Sequence, residues 1–260
     1  MKSLSKALIS LIVGIGLICL GISLGGLESL SSYEGIKNLD IRFEAKSIDD
    51  QEVYFDDIQE LEIEASSVQV RVYEDETLDK IYLKASHLYE GFVLQHKNQT
   101  LEIEQPQYWW KKYSDFVAKI DIYVPKGYIF HDVKIETGFG KSSLYGLNSH
   151  NIEVDSGFGK LDLNQISCQS LKLETGLGQT TGHRILCQNK LAIDTGVGSV
   201  SLGVLTQDNH FDYKVDVGLG NVTLGQKSFS GITDQTSYNG NQLLIDVDCG
   251  MGNVEIKMEG

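Results

Sequence analysis

The chain has 260 residues, 41% of them hydrophobic and 22% charged, with 27 Gly, only 2 Pro and a formal net charge of −14. This is enough chain for one elongated domain or two compact ones with an apolar core, and two prolines exclude a disordered Pro/Gly-rich protein. The acidic balance repels phosphate backbones and anionic lipid headgroups, so no nucleic-acid partner is expected.

Residues 1–6 form a short N-terminus carrying Lys2 and Lys6. Residues 7–27 follow without a charge and with two Ser. A bilayer is crossed by about 20 apolar residues, so this run reads as a transmembrane helix. Positive residues before it and an acidic domain after it place the N-terminus in the cytoplasm and the C-terminal domain outside. A cleaved signal peptide is the rival reading. The length of the run and the lack of a small-x-small cleavage site favour an uncleaved, single-pass signal-anchor. Cys19 does not fit a lipid-attachment cysteine, because Ile18 precedes it.

Residues 28–38 read as a juxtamembrane linker, and residues 39–130 as a β-rich lead-in with irregular rungs. Leu61-Glu-Ile-Glu64, Val68-Gln-Val-Arg-Val72, Lys80-Ile-Tyr-Leu-Lys84, Leu101-Glu-Ile-Glu104 and Lys119-Ile-Asp-Ile-Tyr-Val124 place apolar residues at every second position. That period predicts half-buried strands. Tyr108, Trp109 and Trp110, beside Lys111 and Lys112, are the one non-repetitive segment with binding chemistry. Such aromatics contact a partner, a glycan or a membrane interface, or else they cap an open core. Pro125-Lys-Gly127 closes this half with a turn.

From 131 to 260 a motif recurs: acidic residue, any residue, Gly, apolar residue, Gly. The copies are Glu136-Thr-Gly138-Phe-Gly140, Asp155-Ser-Gly157-Phe-Gly159, Glu174-Thr-Gly176-Leu-Gly178, Asp194-Thr-Gly196-Val-Gly198, Asp216-Val-Gly218-Leu-Gly220 and Asp248-Cys-Gly250-Met-Gly252. Their acidic positions are 19, 19, 20, 22 and 32 residues apart. A period near 20 is one supersecondary unit stacked on copies of itself. Alternation places Val133 and Ile135, and their counterparts in later copies, on the inner side of a strand. Thr137, Ser156, Thr175, Thr195, Val217 and Cys249 share that parity. So do Phe139, Phe158, Leu177, Val197, Leu219 and Met251, which are therefore expected to form an inner ladder. The acidic residue faces out. Inward residues resume after the second glycine, as in Leu161 and Leu163, so that glycine is expected to make a bulge or corner.

Strand, corner, strand, corner at this period predicts an all-β fold: a parallel β-solenoid of about 20-residue rungs in which each strand pairs with its counterpart in the next rung. The 32-residue interval predicts a lateral loop over 225–240.

The outward carboxylates would stand about 4.8 Å apart. Like charges so placed cost stability. Glycine amides and water offset this, and calcium between carboxylates is the alternative. No cofactor, metal or catalytic residue is otherwise expected. A general acid–base pair needs two unlike carboxylates in a cleft, and this column offers six equivalent exposed ones. His131 and His150 occupy equivalent places in two rungs, without a third ligand. Cys168 and Cys187 would be neighbours within disulfide reach, or simply two small corner residues.

Ile122-Tyr-Val-Pro-Lys-Gly127, followed by Val133-Lys-Ile-Glu-Thr-Gly-Phe-Gly140 and its copies, resembles the bacterial putative-adhesin domain family. The resemblance covers about residues 40–260. It implies a membrane-anchored envelope protein with a β-solenoid and no catalytic residues. A protein or cell-wall partner is expected. The expected function is non-enzymatic binding or adhesion outside the membrane. The alternatives are a regulatory partner of a membrane envelope-stress sensor and, from the carboxylates, a glycan-active enzyme.

Overall fold

A computed structural model describes residues 47–105, 117–208 and 210–260. The segment 7–27, the linker 28–38 and the Tyr108, Trp109, Trp110 segment lie outside the described residues. Among the described residues the fold is all-β, with no helix.

Each alternating stretch of the lead-in is a strand. The chain opens with β1 (Ser47–Ile48) and β2 (Gln51–Phe55), then β3 (Glu60–Ala65) and β4 (Val68–Asp75). There follow β5 (Ile81–Ser86), β6 (Leu88–Tyr89), β7 (Val93–Lys97), β8 (Thr100–Gln105) and β9 (Ala118–Pro125). The repeats then coil through β10 (Phe130–Tyr145), β11 (Asn148–Thr195) and β12 (Ser199–Val204). The end comprises β13 (Phe211–Val217), β14 (Asn221–Leu224), β15 (Lys227–Ser230), β16 (Thr233–Ser237), β17 (Leu243–Cys249) and β18 (Asn253–Met258).

The pairing is that of a parallel coil. β10 and β11 lie in register with Val133 beside Ile152, Glu136 beside Asp155 and Phe139 beside Phe158. β11 then winds onto itself before meeting β12 and β17. The strands before the glycine corner form one face and those after it a second face. Ile63, Ile135, Val154, Leu173, Ile193, Val247 and Val215 stack inside the first face, each at most 2% exposed. Val70, Leu144, Leu163, Leu202, Ile256 and Leu224 stack against them from the second. At about 25 cal/mol per Å² of buried apolar area, these continuous aliphatic rows are the main stabilising term.

Two features differ from simple coiling. The last rung, β17–β18, does not follow β13–β14 in space. It slides between β11–β12 and β13–β14, parallel to both. The first rung, β3–β4, is likewise inserted between β8–β9 and β10. Each end rung of the chain is thus one place in from the edge. The expected loop over 225–240 is instead mostly strand: β15 returns antiparallel along β14, and β16 along β13. β16 is polar on both sides and β15 buries only Phe229, so no repeat motif betrays them. At the opposite end β7 and β5 pair antiparallel with β8 and β9, and β2 with β5. Antiparallel strands therefore flank both ends and form the edges of the sheet.

Candidate functional site

The glycine corner is where sequence parity fails. Strand parity places Phe139, Val197, Leu219 and Met251 inside, yet they are 49%, 42%, 74% and 52% exposed. Phe158 and Leu177 are half-buried. Thr137, Ser156, Thr175, Thr195, Val217 and Cys249 do face inward and are buried. Parity is therefore already lost at the first glycine, and the corner runs on to the second, where Gly140 and Gly159 take positive φ. A Cβ on Gly157 would lie 3.3 Å from the Gly138 carbonyl oxygen, and one on Gly176 would lie 2.9 Å from that of Gly157. Neighbouring rungs approach too closely there for side chains, and the bend swings the next residue out.

The outward residues form a ladder along the coil. Phe139 stacks on Phe158 with centroids 5.1 Å apart and an interplanar angle of 10°. Backbone hydrogen bonds carry the corner onward: Val197 N–H donates to Gly176 O, Met251 N–H to Gly196 O and Leu219 N–H to Gly250 O. The spatial order is thus Phe139, Phe158, Leu177, Val197, Met251, Leu219. Ile232 joins β15 to β16 at the same corner and is 90% exposed. It extends the ladder onto a rung that lacks the motif. Before Phe139 the corner is polar: the Ser67 hydroxyl donates to Phe139 O at 3.0 Å and accepts from Lys141 N–H at 3.1 Å. Gln105 and Ala118, which flank the Tyr108, Trp109, Trp110 segment, lie at this corner too, beside Ala65 and Val68.

Next to the ladder runs the acidic column, and it is longer than the six motif residues. Glu64 pairs with Glu136, Glu104 with Glu64, and Asp234 with Asp216. In space the order is Glu104, Glu64, Glu136, Asp155, Glu174, Asp194, Asp248, Asp216, Asp234. The added glutamates were visible in Leu61-Glu-Ile-Glu64 and Leu101-Glu-Ile-Glu104, which match Val133-Lys-Ile-Glu136 without its glycines. Asp234 had no such signal, because it arrives on an antiparallel strand.

Lysines two positions earlier relieve part of this charge. Lys134 pairs with Glu136, and Lys172 bridges Glu153 and Glu174. Lys190 and Lys214 both reach Asp246, beside the column. Burial first, and neighbouring carboxylates second, hold Asp155, Asp194 and Asp248 above the ordinary aspartate range. Ionisation of these three aspartates is thus disfavoured chiefly by burial and second by their neighbours.

Other candidates are structural in form. His131 and His150 are ring neighbours at 5.6 Å, and Asp132 contacts His131. Among the described residues no three His, Cys, Asp or Glu side chains are grouped to hold a metal ion. Cys168 and Cys187 are buried free thiols in contact, and their shared hydrogen bond raises the Cys168 thiol and lowers that of Cys187. A groove of about 540 Å³ is lined by Arg71, Lys119, Lys141, Tyr145, Asp162 and Asn164 among others. Arg71 there is already engaged by Asp121 through two hydrogen bonds, at 2.7 and 3.0 Å.

With this geometry in hand, the model of the Toastrack DUF4097 family matches residues 58–259. The chain belongs to the Toastrack DUF4097 family. The match spans the coil from just before β3 to the end of β18, and it meets the family resemblance read from the turn at Pro125 and the repeats. No curated protein matches this Toastrack chain. Among solved structures, a putative cell adhesion protein from Clostridium sporogenes is similar at 15% identity and TM-score 0.48, covering 82% of this chain and 100% of that one. A putative adhesin from Bacteroides fragilis is similar at 12% identity and TM-score 0.34, over 82% and 98%. A putative lipid binding protein from Parabacteroides distasonis is similar at 11% identity and TM-score 0.31, over 81% and 94%.

Proposed function

We propose that this Toastrack protein is a non-enzymatic, membrane-anchored envelope protein whose extracytoplasmic coil binds another macromolecule. The observation that carries the reading is the row of apolar side chains exposed along the glycine corner. A contiguous exposed apolar strip is costly in water and marks an interaction surface. The uncharged run 7–27 behind Lys2 and Lys6 supplies the anchor. The carboxylates stand as a regular outer column, which suits no acid–base pair.

Crosslinking in intact cells, followed by membrane fractionation and partner identification, tests the reading. The chain is expected in the membrane fraction, sensitive to external protease once the wall is removed, and crosslinked to a specific partner. A sensor-complex subunit as that partner would select the regulatory form of this function. Recovery in the cytosol, or no specific crosslink, overturns it.

A further inference from the structure

We propose that the exposed corner ladder is a docking track for an amphipathic α-helix of a partner protein, with Lys or Arg along one flank of its apolar stripe. The inference rests on the binding reading and names the surface and the partner's chemistry.

Five of the seven ladder side chains are exposed and two, Phe158 and Leu177, are half-buried, while the aliphatic rows beneath them are fully buried. Its continuation at Ile232 matters most. That rung is antiparallel and lacks the motif, so the coil's geometry alone does not call for an apolar residue there. From Phe139 to Ile232 there are seven positions about 4.8 Å apart, a track of about 29 Å. A helix of about 19 residues has that length. Its pitch of about 5.4 Å exceeds the rung spacing by only about 0.6 Å, so five turns drift by about 3 Å. One apolar residue per turn can therefore seat between successive ladder side chains.

A strand does not fit this track. The corner N–H groups of Val197, Met251 and Leu219 are spent on carbonyls of neighbouring rungs at 2.9, 2.8 and 2.7 Å. No free row of backbone groups is offered, so the partner must satisfy its own backbone, as a helix does.

Charge selects among helices and excludes other occupants. The acidic column lies three residues before the ladder, within about 10 Å of chain. The other flank, two residues after the ladder, carries Lys141, Lys160, Gln179, Ser199, Asn253 and Asn221, with no carboxylate. The helix is therefore basic on one side of its stripe and neutral or acidic on the other, which sets its orientation about its axis. A second copy would bring two acidic columns together. Anionic lipid meets the same repulsion. A glycan would gain stacking only at Phe139 and Phe158.

The test uses the full-length chain and a fluorescent synthetic peptide of about 19 residues, long enough to cover the track. The peptide has Leu at helical spacing, Lys on one flank and Gln on the other. One control replaces Lys by Glu; a second has the same composition with Leu at every second position. Anisotropy is expected to show binding of the first peptide alone, weakening with salt. A V197S/M251S/L219S variant should bind it at least about tenfold more weakly, the loss expected for central apolar contacts. Its melting midpoint should hold, because all three side chains are exposed. Glu174→Gln with Asp194→Asn should weaken binding and flatten its salt dependence. Equal binding by the triple variant, equal binding of the Glu peptide, or preference for anionic vesicles overturns the inference. In cells, a partner crosslinked equally by the triple variant ends the ladder proposal and leaves the binding function standing. No partner for the parent chain ends the binding function itself.

Discussion

Asp194 and Gly159 show how single residues carry the repeat. Asp194 sits between Glu174 and Asp248 and is held above the ordinary aspartate range by burial and by those neighbours. A raised folded value means the folded chain holds that proton more tightly than the unfolded chain. Its ionisation therefore costs stability as pH rises from the unfolded aspartate value, about 3.9, through the raised folded one, and the cost is complete above both. Asp194→Asn should stabilise the chain at pH 7 by about a few tenths of a kcal/mol after solvent screening, read as a higher melting midpoint. Below about pH 3.9 the gain should vanish. Thermal melts across pH check this, and destabilisation at pH 7 would contradict it. Gly159 is left-handed at φ 144°, and a Cβ there would strike the Gly140 carbonyl oxygen. Gly159→Ala should cost on the order of 3 kcal/mol. Gly127, at φ 73° with open space around it, should cost only about 1 kcal/mol on the same change. Denaturant titration of the pair separates crowding from backbone strain.

The strands show why alternation was readable and the corner was not. Leu61 to Glu64, Leu101 to Glu104 and each Val133-like stretch alternate cleanly, and their inward residues are buried as that period requires. Parity can be counted along a straight strand only. At Gly157 and Gly176 the adjacent rung's carbonyl stands where a Cβ would lie, a closeness that no local pattern encodes, and the apolar residue after the first glycine is left half-buried or exposed. The final rung teaches the same lesson. β17–β18 bridges β11–β12 to β13–β14, so a chain ending at Asn239 should lose amide protection over β13 to β16 while keeping it in β10 and the first turns of β11. Hydrogen exchange with mass spectrometry measures this, and unchanged protection of residues 211–237 would refute the bridging role.

Across the whole molecule, contacts are made between distant parts of the chain. Ser67 meets Phe139 over 72 residues, Arg71 meets Asp121 over 50, and Ser201 meets Glu255 over 54. Both inserted rungs require their flanking rungs to be in place or to form with them. Loop-closure entropy must then be met before pairing is rewarded, so refolding should take milliseconds to seconds, on the order of other non-local β proteins. Stopped-flow refolding checks this, and a microsecond phase carrying the full amplitude would contradict it. The net charge of −14 acts at this level as well. It disfavours self-association and gives any cationic partner a salt-dependent approach.

The period near 20, the inward aliphatic pairs and the outward carboxylates all followed from local periodicity, because a stacked fold repeats its contacts with its sequence. The family followed from the same motif. The spatial order of rungs, the antiparallel caps, Asp234 at the end of the acidic column and the outward ladder did not. Each depends on which free edge a strand meets, or on how closely two backbones approach, and these are properties of chain segments that are neighbours in space and not in sequence.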